Sequence, residues 1–257
     1  MILGDEQRLI WPGAGNAGGR VICAENRPAD TPYPVTFGED KYGAFVRFET
    51  EQEDKSRNER QRYGNGRSPK RAMISLESLG NVRRYGRPIE HRFGLVVEAG
   101  APQIPNLFTV LSQENAGPPK GKDYRPPPMS FGIDAISRPR SQAVDEFFFL
   151  DTNVWDPVKE KGVSGHRILS KRPLERGAFY AVRLLFVDGR GGDGRLEFRL
   201  GQGKPGADTE LQGSYDGPTG YEGFGSVYPA FGVYQHWGQR PLAARFYDWR
   251  EAVRPAA

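Results

Sequence analysis

Along most of the chain, apolar and polar residues alternate in short runs instead of recurring every three or four positions. The stretch YPAFGVYQHW, residues 228–237, sets Phe231, Val233 and Trp237, with Gln235 among them, on one side. Tyr228, Ala230, Gly232, Tyr234 and His236 fall on the other. Side chains alternate across a strand with period two, so one side of this strand packs while the other displays a phenol and an imidazole two residues apart. Similar runs, rich in β-branched and aromatic residues and separated by Gly, Pro or charged turns, predict strands over 43–50, 71–79, 91–99, 107–115, 129–136, 146–152, 178–188, 195–201 and 242–249. VDGRGGDGRLEF, at 187–198, reads as a hairpin whose glycines supply positive φ. The best helical candidate, WREAV at 249–253, is barely one turn long. Two segments, 115–128 (NAGPPKGKDYRPPP) and 153–177 (NVWDPVKEKGVSGHRILSKRPLERG), read as long surface loops.

So many strands, with no helices to cover a parallel sheet, predict an all-β chain. The expected form is two antiparallel sheets packed face to face, a sandwich or jelly roll, in a single domain over 1–257. The 257 residues suffice for a core, and 33 glycines and 21 prolines with no fixed period suit many turns. One cysteine, Cys23, excludes an internal disulfide framework and argues against a cysteine-based metal site. No run of about 18 apolar residues exists to span a membrane, and MILGDEQRLIW lacks the apolar region of a secretory signal. The net charge of +4 is concentrated in RNERQRYGNGRSPKR and NVRRYGR. That favours an anionic partner, and an acidic polysaccharide or a nucleic acid both qualify. Tyr63 and Tyr85, interleaved with those arginines, suit stacking on bases or on sugar rings equally well.

Alternation also sorts the polar residues of other strands. In LFTVLSQEN, Leu107, Thr109, Leu111, Gln113 and Asn115 share one side, and Phe108, Val110, Ser112 and Glu114 the other. In RAMISLESL, Arg71, Met73, Ser75 and Glu77 oppose Ala72, Ile74 and Leu76. Either each strand has a solvated side, or these polar sides form one surface of amides, guanidinium, phenol and imidazole. No G-x-S-x-G, H-E-x-x-H, Walker loop or helix-opening G-x-G-x-x-G occurs, so serine hydrolase, zincin and nucleotide-binding chemistries lack an anchor. A retaining glycosidase needs two carboxylates about 5 Å apart. In DEFFFLD, Glu146 and Asp151 fall on opposite sides of a regular strand, which disfavours that pair, although distant strands could supply another. The glycine-rich 187–198 segment loosely resembles a calcium loop but lacks its acidic spacing. No cofactor is expected beyond, at most, a structural calcium ion.

YPAFGVYQ resembles the Y-x-K-x-G-x-Y segment near the C-terminus of jelly-roll polysaccharide lyases of the heparin lyase and alginate lyase type. VLSQENAG resembles their central Q-x-H strand, RNERQR or RAMISLE takes the place of their R-x-E strand, and ARFYDWR resembles their closing strand. The resemblance implies a β-jelly roll, the concanavalin-like sandwich, whose concave sheet forms a glycan cleft. It also implies cleavage of a uronate-containing polysaccharide by β-elimination. There a base takes the C5 proton, fixed donors neutralise the charge building on the adjacent carboxylate, and an acid returns a proton to the departing O4. Tyrosine holds its proton to about pH 10, so it needs cationic neighbours to serve as the base.

Carried over by position, Tyr234 matches the catalytic tyrosine, Gln113 the carboxylate-binding glutamine, and Arg71 or Arg60 the strand arginine. Asn115 stands where the family has histidine, and Ala230 where it has lysine. Tyr234 would then act as both base and acid, or His236 would take one role; His91 and His166 are the other imidazoles. The expected catalytic set is Tyr234, Gln113, Asn115, Arg71 and His236, with Arg60, Arg62, Glu77, His91 and Tyr228 binding substrate. The expected protein is a secreted or periplasmic monomer with no nucleic-acid or membrane partner. A non-catalytic glycan-binding module and a jelly-roll glycoside hydrolase are the alternatives.

Overall fold

The computed structural model describes residues 8–10, 18–23, 35–50, 70–75, 83–84, 86–116, 127–139, 141–156, 161–189, 192–220 and 226–253. They form sixteen strands: β1 (Arg8–Ile10), β2 (Gly18–Cys23), β3 (Val35–Asp40), β4 (Gly43–Thr50), β5 (Lys70–Ser75), β6 (Arg83–Arg84), β7 (Ile89–Val97), β8 (Thr109–Ala116), β9 (Met129–Ser137), β10 (Val144–Asp156), β11 (Lys161–Leu169), β12 (Phe179–Val187), β13 (Arg195–Gln202), β14 (Glu210–Asp216), β15 (Ser226–Gln235) and β16 (Leu242–Val253). Among the described residues there is no helix, and none long and apolar enough to cross a membrane.

The strands make two antiparallel sheets. The nine-stranded sheet runs β1-β2-β5-β15-β8-β9-β10-β11, with β6 also on β15, and the seven-stranded sheet runs β14-β13-β12-β7-β16-β4-β3. The chain passes repeatedly from one sheet to the other, as a jelly roll requires. Apolar residues at alternate positions meet between the sheets. Phe48, Phe93, Phe246 and Trp249 from the seven-stranded sheet pack against Phe131, Phe148, Phe231 and Val233 from the nine-stranded one. Phe231 stacks on Trp249 with centroids 4.8 Å apart. Phe131 meets Phe93 at 5.9 Å.

Several expectations need correction. WREAV continues β16 as a strand, with Trp249 in the core. The segment 153–177 holds the end of β10 and the whole of β11; of 115–128, Asn115 and Ala116 close β8 and 117–126 lie outside the described residues. The segment 187–198 is the expected β12–β13 hairpin, with Val187 opposite Arg195 and Gly192 at positive φ.

Simple alternation also fails on β8. Leu111 is an extra residue against β9, where Val110 faces Gly132 but Ser112 already faces Phe131. Such a bulge turns two successive side chains the same way. Leu111 and Ser112 both point inward, so Thr109, Leu111, Ser112 and Glu114 face the interior while Val110, Gln113 and Asn115 face out.

Candidate active site

The outer face of the nine-stranded sheet is set by β15. Phe231, Val233 and Gln235 point inward, where Gln235 is fully buried. Its Oε1 accepts from Thr50 Oγ1 at 2.5 Å, and its Nε2 donates to Gln103 Oε1 at 2.6 Å. This anchorage fixes the end of the strand and turns Tyr234 outward. Gly232 has φ +136°, and a Cβ there would run into the backbone of β5, so glycine is required two residues before Tyr234.

Around Tyr234 stand Arg71 and Phe108. Arg71 faces it in register from β5, with its guanidinium carbon 4.3 Å from the ring centroid. Phe108 lies 5.0 Å away, centroid to centroid, on the other side. Further along the same face, Ala230 is opposite Gln113 and Tyr228 opposite Asn115. Gln113 Nε2 donates to Asn115 Oδ1 at 2.9 Å, and Gln113 Oε1 is buried without a hydrogen-bond partner. Turning both amides over keeps the contact and makes the unpaired group an NH₂, the donor a carboxylate needs.

The bulge leaves both groups on one face. Tyr234 is opposite Val110 and Gln113 is opposite Ala230. Val110 and Gln113 are three residues apart on β8, and Ala230 and Tyr234 four apart on β15, roughly 10–13 Å at 3.3 Å per residue. The phenol and the amide pair therefore share one face at about the length of a sugar residue or two.

The other candidates divide. His236 lies just beyond β15, on the side of Tyr234 away from Gln113, with its ring against Phe108 at 5.8 Å. Its Nδ1 accepts from Gly238 N at 3.1 Å, and burial lowers its pKa, so near neutral pH it offers an Nε2–H donor. His166 is exposed on β11 and stacks on Tyr215 at 4.4 Å, away from Tyr234. His91 is corrected outright: it is 1% exposed between the sheets, 2.8 Å from Glu114 Oε1, where no polysaccharide reaches. Arg60, Arg62 and Glu77 lie outside the described residues. Trp237, expected among the packed residues, follows the strand and is 39% exposed.

Three comparisons bear on this arrangement. No protein-family model matches the sequence, and no curated protein matches it. Solved structures do match. The endo-β-1,4-glucuronan lyase of the fungus Trichoderma reesei superposes with a TM-score of 0.59 at 11% identity, covering 90% of this chain and 91% of that one. The exolytic alginate lyase AlyA5 from Zobellia galactanivorans gives 0.55 at 10% identity, covering 93% and 96%. The alginate lyase AlyC3 gives 0.51 at 10%, covering 84% and 78%.

The fold is that of the jelly-roll polysaccharide lyases. Within this jelly roll, the outer face carries residues the sequence did not single out. Phe108 flanks the phenol. Ser130 continues the Gln113 row to Asp151 on β10. At the far edge Arg167 bridges Asp134 at 2.9 Å and Asp151 at 2.8 Å, above the ring of Phe149. Burial pushes the Asp151 carboxyl up to about 6 against the pull of Arg167. Glu146 points inward to Arg176, at 2.7 Å, as alternation required. Among the described residues no group of three or more His, Cys, Asp or Glu could hold a metal ion.

Proposed function

We propose that the protein is a secreted or periplasmic polysaccharide lyase that cleaves a uronate-containing polysaccharide by β-elimination. The observation that carries this is the shared face: Tyr234 against Arg71, and the Gln113–Asn115 amide pair further along the same face on the adjoining strand. The lyase fold supports it.

In this reading the uronate carboxylate lies on the amide pair. The Tyr234 phenolate, favoured by the guanidinium over its ring, removes the C5 proton. The electrons of the C5–H bond form the C4–C5 double bond as the C4–O4 bond breaks, and the phenol returns its proton to O4. Charge builds on the carboxylate in the transition state, so prepositioned donors there lower the barrier. Asn115, in place of histidine, can donate but cannot take a proton at neutral pH. Tyr234 therefore serves as base and acid in turn, which suits a uronate whose C5 hydrogen and C4 oxygen lie on the same side of the ring. Tyr228 borders the amide pair and binds the adjoining sugar.

A non-catalytic glycan-binding module is the second reading, and Ala230 and Asn115 at the family's lysine and histidine positions favour it. Incubation with polyglucuronate, polymannuronate and polyguluronate separates them. Elimination leaves a conjugated double bond, so ultraviolet absorbance rises with new chain ends if the protein is a lyase. Binding with neither signal supports the module, and new reducing ends without absorbance mean hydrolysis.

A further inference from the structure

The outer face of the seven-stranded sheet carries a row of four arginines straight across four neighbouring strands. Arg199 on β13 faces Arg183 on β12, Arg183 faces Arg92 on β7, and Arg92 faces Arg250 on β16. Like charges directly opposite one another destabilise a sheet, so such a row opposes folding unless something else uses it. Its carboxylates are too few. Glu90 serves both Arg92 and Arg183, the latter at 2.9 Å. Glu197 serves both Arg199 and Arg195, each at 3.3 Å. Asp248 serves Arg250 at 2.8 Å. Asp216 adds a contact to Arg195 at 3.8 Å. Among the described residues these five guanidiniums share four acids, and the Arg92 and Arg250 side chains remain 58% and 68% exposed.

Beside the row lies a cleft of about 720 Å³, which Arg92, Arg183 and Arg250 line from one side. Its floor is aromatic. Phe179 and Tyr247 close over Gly94, where a Cβ would come within 2.5 Å of Phe179 Cζ, and Phe45 lies over Gly38 in the same way. Tyr42 packs against Phe179 at 4.8 Å and stays half-buried at the rim with Phe45. The β16 bulge after Tyr247 turns both Tyr247 and Arg250 to this face, and it holds Asp248 at φ +43°. The loop 203–209, with Gly203 and Gly206 at positive φ, forms the opposite wall.

We infer that this cleft and the arginine row form a second binding site, for an acidic glycan, on the face opposite Tyr234. A polyanion laid across the strands meets one guanidinium per strand, at a spacing of about 4.8 Å. Sugar rings can rest on the half-buried Tyr42 and Phe45, while nucleic-acid bases would need broad exposed ring faces. Phe179 and Tyr247 are only 2% and 3% exposed. The choice of a glycan also rests on reading the Tyr234 face as a uronan site.

Equilibrium binding tests it without turnover. Polyglucuronate oligosaccharides are titrated into the Tyr234→Phe protein alone, and with Arg92→Gln and Arg250→Gln added, while hydrogen exchange reports which strands are protected. Expected are a tenfold or greater loss of one class of site in the double-arginine variant, its partial retention with Arg92→Lys and Arg250→Lys, and protection on β7, β12 and β16. Unchanged affinity with protection confined to β8 and β15 would overturn it, as would tighter binding of oligothymidylate through the same arginines. Failure of the Tyr234 mechanism alone would show as retained turnover in Tyr234→Phe, independently of this binding.

Discussion

Arg71 lies against Tyr234 from the neighbouring strand, its guanidinium carbon 4.3 Å from the centre of the phenol ring. A fixed positive charge at that position favours phenolate over phenol. Replacing Arg71 with Ala is expected to lower turnover at neutral pH by roughly 10-fold or more, the equivalent of about 1.4 kcal/mol. The alkaline rise of the pH–rate profile should move to higher pH, and Arg71→Lys should recover part of both. An unmoved profile would assign Arg71 to packing alone.

Asn115 occupies the place of a histidine and contacts Gln113 at 2.9 Å. Asn115→His introduces a group that titrates near pH 6.5, about where free imidazole does. The variant is expected to gain a new limb in its pH–rate profile near that value, while Asn115→Ala loses turnover with no new limb. Profiles that superpose with the wild type would show that position 115 does not reach the sugar.

Glu114, between the two amides in sequence, faces inward and meets His91 at 2.8 Å, both side chains almost wholly buried. Removing one partner of a buried polar contact leaves the other unsatisfied, at a cost of about 1–3 kcal/mol. His91→Ala should therefore lower stability by that order in denaturant unfolding, whereas Glu114→Gln, which keeps a polar group of the same shape against the imidazole, should cost less. Equal costs would contradict a specific contact between the two side chains.

Burial raises the Asp151 carboxyl from its unperturbed 3.8 to about 6. A raised folded-state value means that its contribution to stability is full below about pH 4, where the unfolded carboxyl is also protonated, and is lost as pH rises through 6. Asp151→Asn is expected to gain on the wild type by on the order of 2–3 kcal/mol between pH 4 and 7, read from urea unfolding at each pH. A stability difference constant across that range would contradict the assignment.

Much of the fold was legible because most strands obey strict alternation. The inward Phe231 and Val233 and the outward Tyr234 follow from parity alone. Parity also held the signal that His91 is internal, since it shares its side of β7 with Phe93, Leu95 and Val97. What parity misses is a register change. The extra residue at Leu111 sends Ser112 inward and puts Gln113 on the same outer face as Val110, and nothing in VLSQ marks it. β11 and β14 escaped because they lie at sheet edges, where few apolar residues recur. The arginine row was invisible for a different reason: each arginine is an ordinary outward residue on its own strand, and only the pairing of β13, β12, β7 and β16 lines them up.

The most direct measurement is turnover of the Tyr234→Phe protein on the uronan that the wild type cleaves, followed by ultraviolet absorbance. The substitution removes only the hydroxyl and leaves the ring between Arg71 and Phe108. Loss of the acid–base group should lower kcat by at least about 100-fold, with oligosaccharide affinity and thermal stability retained. Undiminished kcat would contradict that role.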